Sequence, residues 1–309
     1  MTKDQIQKLY ETIAPFSYCE LEFIHTKGRF EKLWKTIPSK HHFSKEMLYK
    51  LFAASFFPQY DKIIISDVDV VFLDDVSESF LAFDTNEKSY LAGIRANEPD
   101  AIYPLTDWKE GYKKFSQTEF ESIQNGIGAG YFIANLKQIR KDNIEQKFLD
   151  YLIKNTHKLV LAEQDILNII CYPHIKTLSL RHMICHSMWK QYGEKWENLH
   201  PNFYTQDQIT QARLHPIQLH YAGNKKPWQY PNAPKSALWY YYVCQTPFAQ
   251  DFLNELPNAI ISLYKQERFF NKLILYICNN PLFIFKPRFY VKLVLFFIRP
   301  LRRISKFLS

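Results

Sequence analysis

Glycine is scarce in this chain, eight residues in 309, and no stretch repeats or falls into low complexity. With aromatic residues at 17% the composition suits a densely packed globular protein better than a disordered one. The five cysteines, Cys19, Cys171, Cys185, Cys244 and Cys278, are odd in number and form no CxxC pair, which argues against a disulfide framework and against a thiolate zinc site. The opening MTKDQIQKLYETI has no apolar centre and carries acidic residues, so it does not read as a secretory leader, and a reducing cytosol is the expected compartment. Long apolar runs are missing too. Pro281, Pro287, Lys292 and Pro300 interrupt the C-terminal ones before the roughly twenty residues that a bilayer requires.

Negative charge is absent at one end. From Phe269 to Ser309 there are eight Lys and Arg and no Asp or Glu, so the formal excess of +8 belongs entirely to that segment. Its basic residues alternate with Phe283, Phe285, Phe289, Tyr290 and the run Leu293 to Ile298, a mixture expected of a segment lying in an anionic lipid interface. A nucleic-acid arm would not need so much aromatic and aliphatic surface, and the first 268 residues carry no charge excess, so no nucleic-acid partner is expected. A C-terminal helix packed on the core with a solvated basic face is the plainer alternative. Residues 1–240 read as a catalytic-size domain, and 241–309 as a helical, membrane-associating tail.

Asp61 to Leu73 reads DKIIISDVDVVFL, an apolar β-branched strand that carries Asp67 and Asp69 at its polar break. On an extended strand residues two apart project to the same side, so both carboxylates can converge on one cation. Hard divalent ions such as Mg²⁺ and Mn²⁺ favour that chemistry and commonly share it with substrate phosphates. Strand and helix alternate through the first 180 residues: a helix from Asp4 to Ile13, a strand at CELEFIH (19–25), and a helix capped by Ser44. A short helix follows near Ser77 to Phe83, then a strand from Tyr90 to Ile94 and an irregular insertion over residues 97–125. Gly126, Gly128 and Gly130 cluster ahead of the strand YFIANL, where backbone must closely approach a ligand or a neighbour. Helices are expected over Gln138 to Lys154 and from AEQDILN to the stop at Pro173. Such alternation indicates an α/β sheet with ligands at the carboxyl ends of its strands.

SDVDVVFL, the glycine cluster with YFIANLKQI, AEQDILN (162–168) and HYAGNKKPW (220–228), in that order, resemble the retaining glycosyltransferases of family 8, particularly the bacterial lipopolysaccharide core galactosyl- and glucosyltransferases. The resemblance implies a GT-A nucleotide-sugar fold with a mixed sheet flanked by helices. It implies a UDP-hexose donor, Mn²⁺ or Mg²⁺, a saccharide or glycolipid acceptor, and a cytoplasmic enzyme peripheral on the inner face of the membrane through residues 269–309. Position by position, Asp67, Asp69 and His220 match the metal ligands, and Gly223 and Lys226 match the glycine and lysine around the diphosphate. Gln164 matches the glutamine below the anomeric carbon, Asp165 its sugar-binding neighbour, and Lys50 the donor-contacting arginine.

Departures from the family pattern are Glu163 for an aspartate, Gly128 for an asparagine, and Asn97 or Glu98 in place of an acidic sugar ligand near Arg95 and Ala96. The family's N-terminal strand and helix, which carry uracil contacts, have no counterpart ahead of Met1. A haloacid-dehalogenase-type phosphotransferase also places DxD after an apolar strand, but its motif continues to a threonine that DVDVV does not supply. A non-catalytic, membrane-associated remnant is the other alternative.

Overall fold

The computed structural model describes residues 1–26, 28, 45–95, 112–194, 196, 203–267, 269–287 and 289–291. The strands among them are β1 (Lys62–Ser66), β2 (Val70–Phe72), β3 (Leu91–Arg95), β4 (Ile127–Asn135), β5 (Ile175–Thr177), β6 (Ile184–Cys185) and β7 (Gln218–His220). A four-stranded sheet runs β1-β4-β3-β5 and a three-stranded sheet β2-β7-β6. In the larger sheet β4 is antiparallel to both neighbours and β3 is parallel to β5; in the smaller, β2 opposes β7 and β6 runs parallel to it. The fold is therefore mixed α/β, as the alternation of elements predicts.

β4 is the central strand, and all nine of its residues are buried. Its period of two sends Phe132 and Ala134 into one core and Tyr131 into the other. Burial on both faces is what allows IGAGYFIAN to be almost wholly apolar. The first core is closed by the 3₁₀ helix Lys45–Phe52, which continues as the α-helix Ala53–Phe56, and by helices Leu136–Lys141, Ile144–Asn155 and Ala162–Cys171. The second collects Val71, Tyr131, Met183, Leu219 and Tyr221 around the smaller sheet.

Several sequence expectations change. CELEFIH forms no strand: residues 19–25 pair with none of the described strands, and an alternating pattern without a ladder partner does not hold an extended chain. The helix expected over Gln138 to Lys154 is two, Leu136–Lys141 and Ile144–Asn155, separated where Asn143 adopts a left-handed conformation at φ 52°. Asparagine tolerates that region, and a helix cannot continue through it. Within 97–125, residues Gln117–Gln124 are helical behind a Ser116 capping box, while 97–111 lie outside the described residues, as does Ser44.

Helices Ala249–Glu267 and Phe269–Asn279 follow the body, and no helix among the described residues is long and apolar enough to cross a membrane. Trp239 and Tyr240 pack their rings on Phe252 at 5.0 and 5.1 Å, and Lys8 of the first helix, Lys3–Ile13, donates to Asp251 at 2.6 Å. Arg288, Lys292, Arg299, Arg302, Arg303, Lys306 and the run Leu293 to Ile298 lie outside the described residues.

Candidate active site

Asp67 and Asp69 do not lie within one strand. β1 ends at Ser66 and β2 begins at Val70, so the acidic pair occupies the corner where the chain leaves one sheet for the other. Both ends of the corner are pinned: Asp67 N–H donates to the Gly130 carbonyl at 3.0 Å, and the Asp69 carbonyl accepts from Tyr221 N–H at 2.9 Å. The corner keeps both carboxylates on one side and turns Val68 outward, 99% exposed. The same-side placement predicted from strand alternation therefore holds for a different reason.

The register of β2 against β7 then brings in the histidine. Val70 pairs with His220, which places an imidazole 150 residues away in sequence beside the corner. His220 Nε2 lies 3.4 Å from Asp67 Oδ2 and 3.2 Å from Asp69 Oδ1. One ligand atom from each of the three residues falls within 4.8 Å of the others. Gly130 makes room for the ring, because a Cβ there would sit 2.8 Å from His220 Nδ1 and 2.6 Å from Met183 Sδ. The glycine cluster thus serves close approach by neighbouring side chains. Two carboxylate oxygens and an imidazole nitrogen converging on one point suit a divalent ion of the Mn²⁺ or Mg²⁺ type, manganese more readily accepting the nitrogen.

Two ammonium groups surround this triad. Lys226 Nζ donates to Asp69 Oδ2 and, at 2.8 Å, to the Tyr221 carbonyl. Lys50 Nζ donates to Asp67 Oδ1, to the Ala129 carbonyl at 2.9 Å and to Glu163 Oε1 at 3.2 Å. Burial opposes ionisation of Asp69, but His220 and Lys226 outweigh it and hold its carboxyl well below the usual range. Burial likewise opposes charge on His220; hydrogen bonding to Asp69 foremost, then Cys185, overcomes it and pushes the pKa up to about 10. Glu163 moves the other way for a carboxylate, pushed up to about 7 by burial that the Lys50 charge only partly offsets.

The remaining predicted residues are distributed around this centre. Gln164 is half-buried at the start of Ala162–Cys171, and its Oε1 accepts the Ala129 N–H at 2.9 Å, so the amide is held against β4 beside Lys50. Asp165, expected at the sugar, is fully buried, and its Oδ2 accepts the Val160 and Leu161 N–H at 2.7 and 2.8 Å. That carboxylate fixes the turn that presents Gln164. Gly223 is exposed with φ +80°, a conformation that side-chain-bearing residues rarely adopt, and it turns the chain from β7 toward Lys226. Asn97 and Glu98 lie outside the described residues. Glu163 is the residue that the ligand set passed over; its adjacency to Gln164 marked it, but only the fold shows that it faces Lys50, 113 positions away.

Comparison with known proteins gives the family and the fold. Residues 1–232 match the family described as Glycosyl transferase family 8. The lipopolysaccharide 1,2-glucosyltransferase of Escherichia coli is 23% identical over 197 residues, covering 63% of this chain and 52% of that protein. The xylosyl- and glucuronyltransferase LARGE1 of Danio rerio is 25% identical over 43% of this chain and 17% of its own length. The chain thus spans about half the length of the bacterial relative and a smaller share of the animal one. Among solved structures, the bifunctional glycosyltransferase WbbM in its apo form superposes with a TM-score of 0.61 at 20% identity, over 82% of this chain and 44% of that one. The galactosyltransferase LgtC, solved with donor and acceptor sugar analogues, superposes with a TM-score of 0.51 at 16% identity over 69% and 72%. These likenesses establish the fold, that of GT-A glycosyltransferases. The phosphotransferase alternative finds no place in this family.

Proposed function

The chain belongs to glycosyl transferase family 8, and from that premise we propose that it is a retaining hexosyltransferase, moving glucose or galactose from a UDP-sugar to an acceptor sugar of lipopolysaccharide or lipooligosaccharide. The observation that carries this reading is the convergence of Asp67, Asp69 and His220 at the seam of the two sheets. A divalent ion held by these three residues would supply Lewis acidity toward the diphosphate of the donor. Lys226, which reaches Asp69, stands ready to neutralise charge on the departing UDP. Gly223 gives the turn before it the freedom to approach the diphosphate with backbone alone.

Retention by double displacement needs a nucleophile beneath the sugar. Gln164 is a neutral amide, and the neighbouring Asp165 carboxylate is buried with one oxygen committed to two backbone N–H groups. A front-face route fits these residues better. The bond from the anomeric carbon to the phosphate oxygen breaks, the acceptor oxygen bonds to that carbon on the same face, and the acceptor proton passes to the leaving phosphate. The Gln164 carbonyl keeps a second lone pair beside the one given to Ala129, and it can stabilise the oxocarbenium-like state electrostatically.

The basic aromatic C-terminal segment would hold the enzyme at an anionic membrane surface, where a glycolipid acceptor is presented. Titration of the full chain with UDP and Mn²⁺, followed by NMR of product formed from UDP-glucose or UDP-galactose, tests the proposal. An α-linked product from an α-linked donor is expected; binding of neither UDP nor metal would favour a non-catalytic remnant, and an inverted product would exclude the front-face route.

A further inference from the structure

Lys50 sits in a cage of three acceptors supplied by three separate elements. Its Nζ meets Asp67 Oδ1 on the corner, the Ala129 carbonyl on β4 at 2.9 Å, and Glu163 Oε1 on the helix Ala162–Cys171 at 3.2 Å. The side chains are largely removed from solvent, Lys50 12% exposed and Glu163 3% exposed. An ammonium has three hydrogens to donate, and here all three have acceptors. Asp67 is bound by Lys50 through Oδ1, which leaves Oδ2 as the oxygen facing His220 Nε2 at 3.4 Å. A carboxylate gripped by one oxygen cannot rotate freely about its terminal bond, so the other oxygen is aimed.

We infer that Lys50 and Glu163 are positioning residues for the divalent ion. Lys50 orients Asp67 so that Oδ2 points into the triad, and Glu163, with the Ala129 carbonyl, holds Lys50 in place. The inference rests on the reading that Asp67, Asp69 and His220 hold the ion, and it gives Lys50 a task distinct from contact with the donor sugar. It also assigns a function to Glu163, whose Oε2 finds no hydrogen-bond partner. A buried carboxylate left half-satisfied carries a free-energy cost, and a fixed cation beside it offsets that cost. Partners that fix a metal-ligating side chain typically change metal affinity by about 10- to 100-fold when removed.

The test measures Mn²⁺ affinity by calorimetry and by the Mn²⁺ electron paramagnetic resonance signal, in the presence of saturating UDP. UDP carries no hexose, so a lysine whose role is to touch the sugar is silent in this titration, whereas one that orients Asp67 is not. Lys50→Gln should raise the Mn²⁺ dissociation constant by about 10- to 100-fold, with a changed resonance line shape and a retained cooperative melt. Glu163→Gln should raise it several-fold in the same direction, and it decides the matter alone if Lys50→Gln does not fold. The double variant Lys50→Arg with Glu163→Asp lengthens one partner by about the atom it removes from the other, and it should recover much of the affinity that either single change loses. Wild-type Mn²⁺ affinity in both Gln variants, with any loss confined to KM for the UDP-hexose, would overturn the inference alone. Failure of the wild-type chain to bind Mn²⁺ with UDP would overturn the ion reading and this inference with it.

Discussion

Metal uptake should expel a proton from His220, and that release should set its pH dependence. Nε2 lies 3.4 Å from Asp67 Oδ2 and 3.2 Å from Asp69 Oδ1, and the pKa of the ring stands at about 10. Near neutral pH the ring is therefore an imidazolium, whose Nε2 carries a hydrogen and has no lone pair to offer an ion. Removing that proton at pH 7 from a group titrating at about 10 opposes binding by roughly 4 kcal/mol, at about 1.4 kcal/mol per pH unit. The apparent Mn²⁺ affinity should consequently climb about tenfold per unit from about pH 6 to about pH 8, with one proton released per ion. Calorimetry in two buffers of different ionisation enthalpy counts that proton directly. The stability of the chain without metal should move the opposite way. A folded pKa of about 10 lies above the ordinary 6.5, so the stabilisation is full below about 6.5 and is lost as pH rises through about 10. A pH-independent Mn²⁺ affinity with no buffer dependence of the enthalpy would refute the reasoning, because it would mean that His220 is neutral beside its carboxylates.

Other outcomes follow from the same geometry. Asp69→Ala removes a carboxylate proposed to hold the ion and the partner of both His220 and Lys226; metal-dependent transfer should fall on the order of a thousandfold while the circular dichroism spectrum is retained. In Gly130→Ala the new Cβ would lie 2.6 Å from Met183 Sδ and 2.8 Å from His220 Nδ1, so urea unfolding should show a loss of about 1–3 kcal/mol, and Mn²⁺ affinity should fall with it. Phe132→Ala, at a fully buried position in the central strand, should cost about 3–5 kcal/mol on the same urea assay without changing the residues of the triad. The full chain should co-sediment with vesicles rich in anionic lipid and be released by salt; equal binding to neutral vesicles would show that the basic charge of residues 269–309 is not what attracts it.

Sequence alone determined those features that depend on near neighbours. The β-branched run before Asp67, the first helix from Asp4 to Ile13 and the charge imbalance after residue 268 can each be read within a short window. Order of motifs along the chain also sufficed to reach the family that the match over residues 1–232 establishes. Periodicity misled where local pattern had no partner, as at residues 19–25, and where one residue changed backbone conformation, as at Asn143. It also made one strand out of two, because a corner between sheets and a continuous strand can share the same apolar alternation.

Tertiary structure decided what depends on pairing across distance. His220 reaches the acidic corner only because Val70 pairs with it across two strands, a register set by packing over the whole smaller sheet. Gly130 matters because Met183 and His220 both press against it, and neither is its neighbour in sequence. Lys50 and Glu163 meet 113 positions apart around the Ala129 carbonyl. Charge and hydrogen-bonding capacity are properties of a residue type, and sequence displays them. Which of them face one another inside a low-dielectric site is a property of the folded core, and only the assembled sheets fix it.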